Sequence, residues 1–447
     1  MTKTNKFKLA SKVAINTLKA KGYEAFLIGG SVRDYIMDLP IGDIDITTNA
    51  TPGEVKQVFS DFRVIETGIK HGTVTVLIDS EPLEITTYRS EGTYSDNRHP
   101  DNVVFSKSLA DDVVRRDFTM NGIAYDFDTG FCDLVGGIDD IKNRTIRCIG
   151  NAETRFHEDA LRILRAMRFA SVLDFEIEEE TKKAIHNCKD LLKNISAERI
   201  REEFTKLICG KNAYTVLQEF SDVVTVFIPE IRDCIGFEQK NRHHCYDVYT
   251  HTLKAITKSH TSPIIRLALF FHDIGKPSVA HFDEKGEQHY YSHPKKSAEM
   301  TEKIMTRLRF DNDTKNKVVT LVKMHDSPIM VNNMTTPDRK RLKKIMSQIG
   351  TDLIYDLIEI KYCDNSAQNP KYFRGEDFYK KARDIIDEII NEKECFSIKH
   401  LAINGNDLIA LGLKGEKIGK ALDKCLTAVI DGKVVNDKNE LIKYITK

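Results

Sequence analysis

Asp43 and Asp45 stand two residues apart in DIDITT, an alternating run that reads as a strand. Side chains at i and i+2 of a strand share a face, so both carboxylates point the same way. Like charges that close repel unless a cation sits between them, and Mg²⁺ suits hard oxygen ligands and bridges to substrate phosphates. A solvated strand edge is the plain alternative. Upstream lies FLIGGSVRD, a strand leading through Gly29 and Gly30 into a helix start. Such glycines let the backbone approach a triphosphate, and a helix N-terminus offers free N–H groups. Ser31 adds a hydroxyl, and Arg33 a guanidinium able to bind phosphate. Gly30 and Arg33 beside the aspartate pair are much stronger evidence than either feature alone.

With RRDFTMNGIAYD further on, these motifs resemble the class II template-independent nucleotidyltransferases, the tRNA CCA-adding enzymes and bacterial poly(A) polymerases. The resemblance runs from about Phe26 through the neck, and more loosely to the C-terminus. It implies a polymerase-β-like palm, two Mg²⁺ on Asp43 and Asp45, and a nucleophilic 3′-hydroxyl. One metal lowers the pKa of that hydroxyl and the other neutralises the pyrophosphate leaving group. Glu84 in LEITTYR is a third carboxylate candidate or a surface glutamate. Arg116, with Arg115 nearby, is a candidate contact to the incoming nucleotide. Asp117 is an alternative structural holder of that arginine pair, and Asn121 is either a sugar contact or a turn residue.

RFHEDALRILRAM carries Arg155, Glu158, Asp159, Arg162 and Arg165 on one arc of an expected single helix, with Phe156, Ala160, Ile163, Leu164 and Met167 on the other. Taken alone it is an amphipathic helix with a salt-bridged face. Nucleotide chemistry allows a sharper reading. Cytosine and adenine each present an amino donor beside a ring-nitrogen acceptor, whereas uracil and guanine reverse the order. A carboxylate beside a guanidinium therefore matches C and A and rejects U and G. Asp159 and Arg162 supply that pair, and the family's EDxxR motif stands here as Glu158 to Arg162. Arg165 and Arg168 continue the strip, toward triphosphate or sugar or as structural ion-pair partners.

Further on, His251, the His272-Asp273 doublet and Asp364 look like an HD-type metal-dependent phosphohydrolase domain. Its ligands suit Mg²⁺, Mn²⁺, Ni²⁺ or Fe²⁺. His293 and His325 match the positions that give some HD domains a second metal. Hydrolysis of a 2′,3′-cyclic phosphate or a 2′-phosphate would suit a site beside 3′-end building; the alternative is a scaffold for tRNA.

These residues need elements to hold them. Residues 23–150 mix β-rich runs with Gly/Asp turns, and the pattern turns helical from about Asn151. The expected fold is α+β: an α/β nucleotidyltransferase head at 1–150, then all-helical neck (151–232), HD (233–370) and tRNA-binding tail (371–447) domains. Several domains suit 447 residues at roughly 100–200 residues each. Apolar residues at 41% and charged residues at 30% are globular proportions, which exclude a disordered or collagenous chain. Lys+Arg and Asp+Glu balance at 67 each, which argues against nonspecific coating of nucleic acid but leaves room for one basic groove. No run of about 18 apolar residues exists to span a membrane, and the basic N-terminus reads as a first helix rather than a signal peptide. Nine cysteines without a CxxC pair argue against disulfides or a zinc ribbon and for a reducing cytoplasm.

The expected activity is addition of C, C and A to tRNA from CTP and ATP. Two features favour it over poly(A) synthesis or CC-only or A-only addition. YRSEGTYSDNRHPDNVVF resembles the loop that switches C to A, and the C-terminal run resembles a tRNA-binding body. From other classes, the rivals are an HD phosphohydrolase with an RNA-binding head and a noncatalytic tRNA-binding factor. In the tail, GLKGEKIGKAL lacks the P-loop spacing, and Ala421 stands where Ser or Thr is needed.

Overall fold

A computed structural model describes residues 3–66, 68–69, 72–91, 103–331 and 335–446. Most of the expected switching loop, residues 92–102, lies outside the described residues. The chain divides into two compact units, Met1–Pro229 and Glu230–Lys447. The head and nearly all of the neck segment fall in the first, and the HD and tail segments in the second.

The first unit opens with α1 (Lys3–Ala20), β1 (Ala25–Ile28), α2 (Gly30–Ile36), β2 (Ile44–Thr48) and α3 (Pro52–Val58). β3 (Arg63–Ile65), β4 (Thr73–Ile78), β5 (Glu81–Thr87), β6 (Arg89–Glu91), β7 (Val103–Phe105) and α4 (Leu109–Val114) follow. β8 (Ala124–Asp126), β9 (Gly130–Cys132) and α5 (Gly137–Lys142) complete the head. Seven strands form one sheet in the order β3-β4-β5-β2-β1-β8-β9, in which β2 and β5 run parallel while β1 pairs antiparallel with β2. α3 starts on a capping box: Thr51 and Glu54 satisfy each other's backbone N–H groups, and Pro52 fits the first turn.

Strand alternation decides where the site lies. Ile44 and Ile46 of β2, with Leu83 and Ile85 of β5, enter a core built with Ala14, Ile15, Leu18, Val55 and Phe59. The residues between them, Asp45 and Glu84, must then take the opposite face.

The neck comprises α6 (Ala152–Glu158), α7 (Leu161–Leu173), α8 (Glu179–Cys188), α9 (Ala197–Ile208), α10 (Ala213–Glu219) and α11 (Ser221–Phe227). The single helix expected through RFHEDALRILRAM is two helices. Asp159 is extended (φ −135°, ψ 101°) and ends α6, while its Oδ1 accepts the Leu161 N–H at 3.1 Å. An aspartate that bonds a nearby N–H offers the backbone an alternative to continuing the helix. The apolar arc survives the break, because Phe156, Ala160, Ile163, Leu164 and Met167 are all fully buried.

The second unit is mainly helical: α12 (Val248–Lys258), α13 (Pro263–Phe271), α14 (Lys276–Val279), α15 (His293–Arg307), α16 (Asn312–Met324) and α17 (Arg339–Ser366), then α18 (Glu376–Asn391), α19 (Gly405–Ala410), α20 (Glu416–Ile430) and α21 (Lys438–Thr446). Leu267 to Phe271 of α13 are all buried. A helix apolar on all sides belongs inside its bundle, and this one delivers His272 and Asp273 to the interior. Of the glycines in GLKGEKIGKAL, Gly412 and Gly415 lie in the turn between α19 and α20, and Gly419 is within α20.

Candidate functional site

In the head, Asp45 lies opposite Ile28 of β1 and, across the parallel pair, in register with Glu84 of β5. Asp43 is exposed one residue before β2. Burial, with Glu84 and Asp43 nearby, pushes the Asp45 carboxyl up to about 6 despite the opposing pull of Arg116. A carboxylate so disfavoured as an anion is a fitting place for a cation. Gly29, not Gly30, is the glycine against it. Gly29 has φ 82°, and a Cβ there would lie 3.1 Å from Asp45 Oδ2 and 3.5 Å from Arg116 Nη1, whereas a Cβ on Gly30 would meet only Arg33.

Asp112 organises the arginine pair. It is fully buried and accepts from Arg115 Nε (2.9 Å) and Nη2 (2.6 Å), from Arg116 Nη2 (3.1 Å) and from Thr47 Oγ1 on β2 (3.0 Å). Burial pushes its pKa up, but the Arg116 and Arg115 guanidiniums bring it below the ordinary value. Asp112, and not Asp117, is thus the structural holder of Arg115 and Arg116. Its spacing of three and four before the pair on a helical stretch was the sequence signal. Asp117 instead accepts from Arg165 (2.6 Å) and from Asn121 Nδ2 (2.9 Å), whose Oδ1 accepts from Arg33 Nη1 (2.9 Å). Arg33 also donates to Asp34. The guanidiniums of Arg33, Arg165 and Arg168 lie 5.0, 5.4 and 3.9 Å from the Phe169 ring centroid, a cation–π cluster that ties α2 to α7. Arg168 donates to Glu203 at 2.5 Å.

Asp159 and Arg162 are each fixed by neighbouring groups, only one of which sequence spacing reveals. Arg199 of α9 donates to both Asp159 oxygens. Arg162 donates to Glu158 (2.8 Å) and to the carbonyls of Arg155 (3.2 Å) and Arg115 (2.8 Å). Glu158 is legible at i−4; Arg199 is forty residues away and was not.

In the second unit the predicted histidines and aspartates meet. His251 Nε2 is 2.9 Å from Asp364 Oδ1 and 3.5 Å from Asp273 Oδ2. His272 Nε2 is 3.2 Å from Asp273 Oδ2 and 3.7 Å from Asp364 Oδ1. The other Asp273 oxygen lies 3.3 Å from His293 Nε2 and 3.7 Å from His325 Nε2. His251, His272, His293 and His325 all turn Nδ1 toward a backbone carbonyl, those of Ala367, Leu269, Tyr290 and Val322. That bond fixes the tautomer and aims Nε2 inward, as in metal-ligating histidines. Ligand atoms of His251, His272 and Asp273 all lie within 4.8 Å of one another, as do those of Asp273, His293 and His325. His272 Nε2 is buried without a directed hydrogen bond, an orphaned lone pair that a cation would satisfy.

Comparison with known proteins places this geometry. Residues 25–147 match the family described as poly A polymerase head domain, 174–234 that described as probable RNA and SrmB-binding site of polymerase A, and 292–445 tRNA nucleotidyltransferase domain 2. The fold and its head are thus those of a nucleotidyltransferase. The CCA-adding enzyme of Lactobacillus helveticus is 35% identical over 435 residues, covering 96% of this chain and 95% of that one. The Enterococcus faecalis CCA-adding enzyme is 48% identical over 230 residues, 51% of this chain and 56% of that one. The chain belongs to the CCA-adding enzyme family. Among solved structures, the Bacillus stearothermophilus CCA-adding enzyme in complex with CTP superposes with a TM-score of 0.73 at 27% identity, over 98% of this chain and 96% of that one. The Thermotoga maritima enzyme complexed with tRNA shares the fold, with a TM-score of 0.58 at 19% identity, over 97% and 93% of the two chains.

Proposed function

We propose that this protein adds C, C and A to the 3′ end of tRNA without a nucleic-acid template, using CTP and ATP and releasing pyrophosphate. The observation that carries the reading is Asp45, half-buried in register with Glu84 and beside Gly29 and Arg116, in a chain similar to a CCA-adding enzyme over nearly its whole length. Asp43 and Asp45 hold Mg²⁺, with Glu84 beside them, and the metal supplies Lewis-acid activation of the 3′-hydroxyl and charge neutralisation at the leaving pyrophosphate. The chain's own residues do the positioning. Gly29 leaves the backbone beside Asp45 open to the nucleotide, next to Gly30. Arg116, oriented by Asp112, brings positive charge to the same place, and Arg33 lies one turn into α2. Asp159 accepts the amino group of C or A and Arg162 donates to the neighbouring ring nitrogen. Arg199 and Glu158 hold that pair rigid, which lets protein take the place of a template strand. Arg165 and Arg168 back it through Asp117, Glu203 and Phe169. The segments 1–150, 151–232, 233–370 and 371–447 act as head, neck, HD domain and tRNA-binding tail.

The test is single-turnover extension, at nucleotide resolution, of tRNA ending at the discriminator base. Two C's with CTP alone, and a stop after one A with both nucleotides, is the expected result. A long A ladder on unrelated RNA would make the protein a poly(A) polymerase.

A second reading rests on the convergence in the second unit. His251, His272, Asp273 and Asp364 hold one divalent metal, and Asp273, His293 and His325 a second, from among Ni²⁺, Mn²⁺, Mg²⁺ and Fe²⁺. The centre is that of a phosphohydrolase. A phosphodiesterase assay across these metals that is indifferent to His272→Ala would reduce the domain to a scaffold. Among the described residues no helix is long and apolar enough to cross a membrane. Nine cysteines scattered without a CxxC pair suit action in a reducing cytoplasm.

A further inference from the structure

The histidine–aspartate centre opens into a cavity of about 510 Å³ whose wall holds four basic side chains, Arg242, Lys276, Lys361 and Arg374, and four carboxylates, Asp273, Glu287, Asp326 and Asp364. Those formal charges cancel. Any divalent ion bound by the histidines therefore leaves the cavity positive, and its natural occupant is an anion of more than one charge. The volume is within the range of small-ligand sites.

The basic groups are not equivalent. Lys276 is committed to the centre, with its Nζ 2.7 Å from Asp273 Oδ2 and 2.9 Å from Gln239 Oε1. Arg242 faces Glu287 at 4.0 Å. Lys361 and Arg374 are keyed instead to the two ends of the centre. Lys361 Nζ donates to the backbone carbonyl of His325 at 2.5 Å, which seats it beside the Asp273–His293–His325 group. One hydrogen bond leaves an ammonium with two more protons to give. Arg374 is tied to the other end through Asn365, the neighbour of Asp364. The buried Asn365 accepts the Arg374 backbone N–H at 3.0 Å and the Tyr379 hydroxyl at 3.0 Å, and donates to Tyr372 O at 3.1 Å. This holds residues 372–374 against the end of α17 and places Arg374 on the cavity wall.

From this placement we infer that Lys361 and Arg374 form a phosphate-binding pair straddling the metal centre, and that the site takes a phosphate monoester, a terminal dianion, in preference to a diester. The inference rests on reading the centre as a metal phosphohydrolase. A monoester offers two charges and three unsubstituted oxygens to metals, ammonium and guanidinium together; a diester offers one charge and two oxygens. In the reaction a water oxygen bonds to phosphorus and the phosphorus–ester oxygen bond breaks. The ester oxygen takes up a proton, and the products are a free hydroxyl and inorganic phosphate.

The test uses the full chain loaded with Mn²⁺, in wild type, Asp273→Asn and the double variant Lys361→Met/Arg374→Met. Metal content, the rise in unfolding temperature on adding orthophosphate, and hydrolysis of p-nitrophenyl phosphate against bis(p-nitrophenyl) phosphate are measured. Expected are at least about tenfold higher kcat/KM for the monoester, and loss of the orthophosphate shift in the double variant with metal content retained. Faster diester hydrolysis, or an unchanged orthophosphate shift in the metal-loaded double variant, overturns the inference and leaves the metal centre standing. Equal metal content in wild type and Asp273→Asn sinks the reading of the centre and the inference with it.

Discussion

Arg199 grips Asp159 with two parallel hydrogen bonds, Nη1 to Oδ1 at 3.3 Å and Nη2 to Oδ2 at 3.0 Å. It does so from a different helix, and it fixes the plane of a carboxylate whose own backbone has left the helix. If Asp159 reads the amino group of C and A, Arg199 sets the angle of that reading. Arg199→Met should therefore relax selection rather than stop chemistry. Misincorporation of UTP relative to CTP is expected to rise about tenfold or more, the worth of one well-placed polar contact, while kcat with CTP falls less. Single-nucleotide incorporation kinetics with all four nucleotides would check it; unchanged selectivity would assign Arg199 to stability alone.

Gly29 and Gly30 look alike in sequence and differ in consequence. At Gly29 a side chain must adopt φ 82° and place its Cβ 3.1 Å from Asp45 Oδ2; at Gly30 the first atom met is Arg33 Nη2, at 3.5 Å. Backbone strain of that kind costs about 1–3 kcal/mol, and the displaced carboxylate is a metal ligand in the proposed mechanism. Gly29→Ala is expected to lower kcat by more than about tenfold, while Gly30→Ala stays within a few-fold of wild type. The reverse order would contradict the placement of Gly29.

The raised pKa of Asp45 links metal, pH and stability. Burial holds the proton on Asp45 up to about pH 6 in the folded protein, against an ordinary value of 3.8. Without metal, its stabilising contribution is complete below the ordinary value and is lost as pH rises through about 6, a loss on the order of 2–3 kcal/mol. Mg²⁺ binds the ionised form and should reverse the loss. Unfolding followed from pH 4.5 to 7.5 should show EDTA and Mg²⁺ curves that meet at low pH and diverge above 6. Asp45→Asn should flatten the difference and abolish nucleotide addition.

Asp273 offers one oxygen to each histidine pair, so its loss differs from that of a peripheral ligand. Loaded with Mn²⁺, the wild-type centre is expected to retain two ions, His325→Ala one, and Asp273→Asn fewer than one, all in an Asp45→Asn background that excludes the head's own metal. Metal analysis after desalting distinguishes these. Equal losses in both variants would mean a single-metal centre.

Sequence by itself determined the class of chemistry and the parts that serve it. A strand's period of two led to the expectation of Asp43 and Asp45 on one face, although β2 starts at Ile44 and Asp43 stands just outside it. Local motif spacing marked the glycine turn, the Arg115–Arg116 pair, the EDxxR run and the histidine doublet. These are short-range relations, carried by backbone geometry over a few residues. Tertiary structure decided the rest, because it depends on which distant segments pack together. The parallel pairing of β2 with β5 sets Glu84 in register with Asp45 from thirty-nine residues away. Asp112, not Asp117, became the partner of Arg115 and Arg116, since α4 turns it into the buried space beside Thr47. The break at Asp159 was hidden because the apolar period continues through it; only a side chain capping the next helix reveals it. His251, His272, His293, His325, Asp273 and Asp364 were legible as a set. Their convergence needed helices from across the second unit, with the buried α13 delivering His272 and Asp273 to the others.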